Sequence, residues 1–197
     1  MNLLKVLMSF ITRKLKSEEF LRAAYHEAGH AFMAIQVGWS FSSVELDFKN
    51  SIQKTVYEFG SDKVLVEALI DSSKRYYDDN LITIGKKRAM ILMAGMATEY
   101  KYTQVYGVNT FDQNTSTKDI ECFTEIEAFL KRNFNVTLRG LMNDVETIVS
   151  TNWDNIELIA GQLITSKTGK LTRKQIDNAR LNNKPNQKNA PAPTTGG

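Results

Sequence analysis

The sequence contains few of the residues that build disulfide frameworks and cysteine-rich metal clusters. Among 197 residues there is one cysteine, Cys122, and there are two histidines, His26 and His30. A single cysteine excludes an internal disulfide and a cysteine-based metal cluster, and it is typical of a reducing compartment such as the cytoplasm. The three prolines all lie within residues 183–197, a stretch that has no aromatic residue and no aliphatic residue other than alanine. This composition predicts a disordered tail.

A large charge imbalance and a long apolar run are also missing. The 25 basic and 22 acidic side chains leave a net charge of +3, which gives no indication of nucleic-acid binding. The apolar N-terminus is interrupted by Lys5 and falls short of the roughly 20 residues of a membrane-spanning helix. Residues 1–16 place their large apolar side chains on one helical face. We expect an amphipathic segment that packs on its own domain, docks on a partner such as a separate ATPase, or lies on a membrane surface. The expected location is the cytoplasm, with the membrane periphery as the alternative.

The remaining residues, 17–182, are enough for one domain with a hydrophobic core. Residues 17–37 are predicted as a helix, because Glu18 and Glu19 suit its positive end and Gly38 is a natural stop. Alternating apolar and polar residues then predict a β-hairpin up to residue 59. Further helices are predicted over residues 62–76, 83–102, from 117, over 138–151 and 156–164, and from Thr172, which has Gln175 at a capping-box spacing. The expected fold is mainly α (α+β), with a small hairpin or sheet beside the first helix of the domain.

The motif with the clearest chemistry is His26-Glu27-Ala28-Gly29-His30, which uses both histidines of the chain. Residues four apart on a helix share a face, so His26 and His30 can direct ring nitrogens at one tetrahedral zinc ion. Glu27 would stand beside the metal, where a carboxylate can take a proton from an attacking water and deliver it to a leaving amine. This spacing predicts a zinc-dependent peptidase.

Two histidines leave the site one ligand short, because catalytic zinc usually has three protein ligands. The leading candidates for the third are Asp119, at the start of a predicted helix, and Glu99, in a helix of small residues. Asp112 and Cys122 are weaker candidates. Asp119 also suits a purely structural role, in which its charge stabilises a helix N-terminus. Spacing alone leaves Asp119 only slightly ahead of Glu99.

Four segments in this order resemble the peptidase domain of the FtsH-type proteases, the membrane-anchored AAA+ zinc metalloproteases. The resemblance extends over about residues 20 to 180. The segment with the motif is the specific one, and the other three gain weight from their order. The segments are Ala24-Tyr25-His26-Glu27-Ala28-Gly29-His30-Ala31, residues 91–99 (ILMAGMATE), residues 114–120 (NTSTKDI), and residues 152–163 with Lys170-Leu171-Thr172.

The resemblance implies a zincin-like domain in which His26, His30 and Asp119 are the zinc ligands and Glu27 is the general base. Glu99 would then orient a ligating histidine or serve helix packing, as outer carboxylates often do. The hairpin would offer an edge strand to an extended polypeptide substrate. Members of this family form hexamers, so the resemblance also implies a homo-oligomer.

Three departures from the family pattern shape the predicted function. The sequence has no Gly-x-x-x-x-Gly-Lys-Ser/Thr loop, residues 42–59 contain no glycine, and an Ala-Thr pair expected after Asp119 is replaced around Cys122. We therefore expect a zinc metalloendopeptidase without an ATPase of its own, acting on unfolded or partner-delivered polypeptides. The alternative is a catalytically silent zinc-binding adaptor or assembly protein. A subunit that docks through residues 1–16 is a third hypothesis, compatible with the first.

Overall fold

The computed structural model describes residues 18–47, 52–57, 65, 67–69, 80–107 and 117–182. Within these ranges the protein is mainly helical and has a small three-stranded antiparallel sheet, so the predicted fold class is confirmed at that level. The elements, in chain order, are α1 (Glu18–Gln36), β1 (Phe41–Asp47), β2 (Ile52–Tyr57), α2 (Asn80–Tyr106), α3 (Thr117–Phe134), α4 (Leu141–Thr151), α5 (Trp153–Thr165), β3 (Lys170–Thr172) and α6 (Arg173–Asn182).

Helix α1 lies at the centre of the domain. Its acidic first turn, Glu18 and Glu19, complements the positive end of the helix dipole, and Gly38 follows its end with a φ of 70°. All residues from Arg22 to Ala34 are buried, on every side of the helix. The motif therefore sits in a rigid, enclosed element, and its polar side chains must find partners inside the protein.

The sheet has the strand order β2–β1–β3. Strands β1 and β2 form the predicted hairpin, in which Val44 pairs with Thr55. The third strand was not predicted. It pairs antiparallel with β1, placing Val44 opposite Leu171, and so connects the C-terminal part of the domain to the hairpin. Among the strands that the structure describes, β2 lies at an edge of the sheet.

Two glycines let α1 and α2 approach each other closely. A Cβ atom at Gly29 would lie 2.6 Å from the backbone oxygen of Ala94 and 2.4 Å from Oγ1 of Thr98. A Cβ atom at Gly95 would lie 2.6 Å from Cε1 of His30 and 2.7 Å from Nε2 of His26. No larger residue fits at either position without displacing backbone or the histidine rings, so the small residues create the room that the motif side chains occupy.

The buried apolar residues form two clusters that meet at α2. The first cluster surrounds α1 and includes Phe32, Val149 and Ile159. The second packs α3 against α2 through Leu130 and Leu92. The two histidines therefore belong to an element held by the first cluster, whereas Asp119 belongs to a helix held by the second.

Some predicted features lie outside the described residues. These are the amphipathic segment 1–16, the tail 183–197, the loop with Asp112, and most of the helix predicted over 62–76, of which residues 65 and 67–69 are described as helical. None of the described helices is long and apolar enough to cross a membrane. Helix α2 is longer than the predicted 83–102, and α4 begins three residues later than predicted.

Candidate metal centre

His26 and His30 project from successive turns of α1 to the same point, as the four-residue spacing predicts. Their Nε2 atoms are 3.0 Å apart, and each residue is 6% exposed. The two rings meet edge to face, with their planes 87° apart. Both nitrogens that a metal would use are therefore held close together on two buried side chains.

Asp119, in the first turn of α3, brings a carboxylate to the same point. Its Oδ2 atom lies 3.0 Å from Nε2 of His26 and 3.1 Å from Nε2 of His30. A tetrahedral zinc ion with bonds of about 2.0–2.1 Å keeps neighbouring ligand atoms about 3.3 Å apart. The three atoms form a triangle with sides of 3.0, 3.0 and 3.1 Å, which fits such an ion with a small outward adjustment. His26, His30 and Asp119 each offer one such atom, and the atoms lie close enough together to bind a single metal ion.

The other ring nitrogens fix the protonation of the two histidines. Nδ1 of His30 lies 2.7 Å from the backbone oxygen of Ile91, and Nδ1 of His26 lies 3.2 Å from Oε2 of Glu99. Carbonyl and carboxylate oxygens accept hydrogen bonds, so each Nδ1 donates. In the neutral rings both Nε2 atoms then carry lone pairs. Two lone pairs and a carboxylate directed at one point require a cation between them, either a proton or a metal ion.

The pKa values of His26 and Asp119 also indicate that a cation is needed between these side chains. Burial lowers the pKa of His26, but the hydrogen bonds with Asp119 and Glu99 outweigh it and raise the pKa to about 10. Burial raises the pKa of Asp119, and the hydrogen bonds from His26 and His30 bring it well below its usual range. The carboxylates around His26 thus favour a proton on its ring at neutral pH. A divalent metal ion bound there takes the place of that proton.

Glu27 lies beside this point on the wall of a cleft of about 340 Å³ that also exposes His26, His30 and Asp119. The residue is 5% exposed. Its Oε2 atom accepts a hydrogen bond of 3.0 Å from the Thr55 hydroxyl on β2. The Thr55 hydroxyl thus helps to fix the position of this carboxylate at the wall of the cleft.

The structure distinguishes among the tyrosines near the motif. Tyr57 lines the cleft, and burial raises the pKa of its hydroxyl, although the nearby charge of Arg88 partly offsets this. Tyr25, Tyr102 and Tyr106 pack on one another, with ring centroids of Tyr25 and Tyr102 4.5 Å apart. Tyr57 is therefore the one of these four that can contact a ligand in the cleft.

The site brings together His26, Glu27, His30 and Asp119, the four residues predicted to carry the chemistry. Glu99 lies behind His26, on the side away from Asp119, as an orienting residue would. Cys122 lies one turn further along α3, is partly buried, and burial raises the pKa of its thiol. It does not belong to the group of converging ligand atoms.

Sequence reasoning missed three contributors to the site: Thr55, Arg88 and the backbone oxygen of Ile91. Alternation along β2 is a signal that places Thr55 on one face of the hairpin, but it does not show which face meets α1. A backbone oxygen leaves no signal in the residue types. Arg88 follows Lys86 and Lys87 on α2, and its residue type does not distinguish it from these two neighbours.

No protein-family model matches the chain, and no curated protein matches it in sequence.

Proposed function

We propose that the protein is a zinc-dependent metalloendopeptidase with a zincin-like site of the FtsH type. One observation carries the proposal: three ligand atoms converge within 3.1 Å of one another while Glu27 lines the same cleft. A metal site for structure alone needs no base beside it and no opening to solvent. The pairing of a ligand triad with a held carboxylate in an open cleft favours hydrolysis.

His26, His30 and Asp119 would hold the ion at the wall of the cleft that they line. Zinc bound there would supply a Lewis acid for the peptide carbonyl and lower the pKa of a bound water to about 7. Glu99 and the Ile91 carbonyl fix the two rings through their Nδ1 atoms, so the Nε2 lone pairs stay directed at the site.

Glu27 would act as general base and then as general acid. It takes a proton from the attacking water as the water adds to the scissile carbonyl, and it delivers that proton to the departing amine. The Thr55 hydrogen bond holds the carboxylate in one rotamer for both transfers. Tyr57, with a hydroxyl that remains protonated at neutral pH, can donate a hydrogen bond to the carbonyl oxygen as negative charge develops there.

An extended polypeptide would bind along β2. This strand lies at an edge of the sheet, and its residues Lys54, Thr55 and Tyr57 line the cleft. Pairing with an edge strand needs an unfolded or flexible segment, since the substrate must offer its own backbone hydrogen bonds. The substrates would therefore be unfolded or partner-delivered chains.

The test combines metal content with cleavage. Purified protein is expected to hold one zinc per chain and to cut an unfolded fluorogenic protein substrate. Glu27→Gln is expected to keep the zinc and to lose at least about 100-fold in turnover. Glu146→Gln, an exposed substitution on α4, is the matched control and is expected to leave both unchanged.

Unchanged cleavage by Glu27→Gln would overturn the proposal, and so would wild-type protein that binds no zinc. A protein that binds zinc normally and cuts no member of a broad peptide library would be the zinc-binding adaptor instead.

A further inference from the structure

The cleft beside the candidate metal centre is lined by three cations from three different elements. They are Lys54 on β2, Arg88 on α2 and Lys118 at the start of α3. The two carboxylates of the same cleft, Glu27 and Asp119, are already engaged by the Thr55 hydroxyl and by the histidines. With a divalent ion bound, these two negative charges would balance the ion. The rest of the cleft would then be positive.

Arg88 is the most firmly positioned of the three cations. Its guanidinium carbon lies 4.3 Å from the centroid of the Tyr57 ring, a cation–π contact that holds the group at the wall of the cleft. Lys54 is 56% exposed and lies 3.6 Å from Glu45, so solvent screens much of its charge. Lys118 is exposed and directly precedes Asp119. A ligand in the cleft would therefore meet one guanidinium held against an aromatic ring and two exposed ammonium groups.

We propose that this cleft selects peptides that carry a carboxylate next to the scissile bond; the inference rests on the peptidase function proposed above. A carboxylate can come from an acidic side chain within the substrate or from the C-terminus of a short peptide, and both offer the planar pair of oxygens that a guanidinium binds. A peptide paired with β2 passes Lys54 and Tyr57, and so passes Arg88 against the Tyr57 ring.

The proposed preference for acidic peptides is electrostatic, and the expected difference in affinity is modest. A partly exposed ion pair changes affinity by up to about fivefold, and salt screens it. Three cations around one narrow cleft also attract acidic peptides before contact, which raises the association rate at low ionic strength. The expected preference for an acidic over a neutral peptide is therefore about fivefold at low salt, and it decreases as salt is added.

The experiment uses the zinc-loaded Glu27→Gln variant, which binds peptides without cutting them under the proposed mechanism. Fluorescence anisotropy compares three labelled peptides, of which the first two have equal length. The first peptide has a central glutamate and an amidated C-terminus. The second is the same peptide with glutamine in place of the glutamate. The third is the glutamine peptide shortened so that it ends in a free C-terminus beside the central bond. Tighter binding of the first peptide assigns the carboxylate to an internal side chain, and tighter binding of the third assigns it to a C-terminus.

Three substitutions added to this variant locate the effect. Arg88→Gln is expected to remove most of the preference, whereas Arg88→Lys keeps the charge and retains part of it. Lys86→Gln is the matched control, because Lys86 lies on the same helix, is exposed and does not line the cleft. Zinc content and the thermal midpoint of each variant show whether it is folded. If Arg88→Gln does not fold, the double variant Lys54→Gln with Lys118→Gln takes its place and is expected to reduce the preference.

Equal binding of all three peptides by the zinc-loaded protein would overturn the proposed selection, and so would a preference that survives every cleft substitution. Neither result affects the proposed peptidase function if wild-type protein still cuts both kinds of peptide. Conversely, a wild type that prefers acidic peptides but cuts none refutes the peptidase and leaves the selection in place.

Discussion

Oε2 of Glu99 lies 3.2 Å from Nδ1 of His26, behind the ring whose other nitrogen faces Asp119. Glu99 is completely buried, and its second oxygen lies 3.4 Å from Nε of Arg22. A buried carboxylate between a guanidinium and a ligating ring fixes the ring tautomer and makes its free nitrogen more basic. The candidate metal centre thus includes Arg22 on α1 and Glu99 on α2, which support the ring of His26 from behind.

Glu99→Gln tests this support of the ring. The amide keeps the shape of the side chain but loses the charge, so zinc affinity is expected to fall by about 10- to 100-fold. Competition with a chromophoric chelator measures the affinity, and Glu146→Gln on the exposed face of α4 serves as the control. Wild-type affinity in a folded Glu99→Gln protein would show that the contact is only structural.

Gly95→Ala tests the close approach of α2 to the histidines. The added Cβ would lie 2.6 Å from His30 and 2.7 Å from His26, so the rings must move. We expect a loss of about 1–3 kcal/mol in the free energy of unfolding, measured with urea, and strongly reduced zinc binding.

Gly161→Ala is the control for this substitution. A Cβ at Gly161 would contact nothing within 4 Å, and the residue lies inside α5. The same chemical change is therefore expected to stabilise the protein by about 0.5–1 kcal/mol, since alanine is the better helix residue. Equal effects at the two glycines would contradict the packing argument.

Thr55→Val removes the hydrogen bond to Glu27 while keeping a similar volume. Without the 3.0 Å contact the carboxylate can leave its rotamer, so kcat is expected to fall by about tenfold and KM to change little. Thr55→Ser retains the hydroxyl and is expected to recover most of the activity. A serine variant as impaired as the valine variant would indicate that packing, not the hydrogen bond, is responsible.

Glu45 and Lys170 make the stability of the sheet depend on pH. The hydrogen bond from Lys170, 2.7 Å long, lowers the pKa of the Glu45 carboxyl below its usual range. A carboxyl whose pKa is lower in the folded state stabilises the protein above its unfolded pKa and loses that contribution as the pH falls through the folded value.

Glu45→Gln is therefore expected to lower the free energy of unfolding at neutral pH. The loss is at most about 1 kcal/mol, because Lys170 is half exposed and solvent screens the pair. Urea unfolding of both proteins at several pH values measures the difference. The difference in stability should disappear in acid. A difference that persists at pH values where Glu45 is protonated would show that the Glu45–Lys170 ion pair is not its cause.

Local features of the fold could be predicted from the sequence because their signals are local. The helix with the motif, the hairpin and the cap of the last helix all follow from short-range patterns. In the cap, the Thr172 backbone N–H donates to Gln175 and the Gln175 backbone N–H donates to Thr172 Oγ1, the reciprocal pair that the spacing predicts. Strand β3 was missed because three residues are too few to show alternation.

The candidate site could be predicted only in part, because its members are far apart in the chain. Spacing could not decide between Asp119 and Glu99, since each is more than 70 residues from His26 and both can face it. In the folded chain, the packing of α2 and α3 directs Glu99 at Nδ1 of His26 and Asp119 at Nε2, an arrangement that favours the proposed ligand set. The resemblance to the FtsH-type family favoured the same arrangement. Thr55 depends on which face of the hairpin meets α1, which only the assembled fold shows.

The two apolar clusters that meet at α2 have a consequence for natural variation. The helix that carries the histidines packs in one cluster and the helix that carries Asp119 packs in the other, so a metal ion bound by all three would span the boundary between the two clusters. A substitution that loosens Leu130 would shift Asp119 and leave His26 and His30 in place. If the proposed metal centre exists, natural variants that lose the ion would include substitutions outside its ligands, and such variants would keep a well-folded α1 while losing the contact with Asp119.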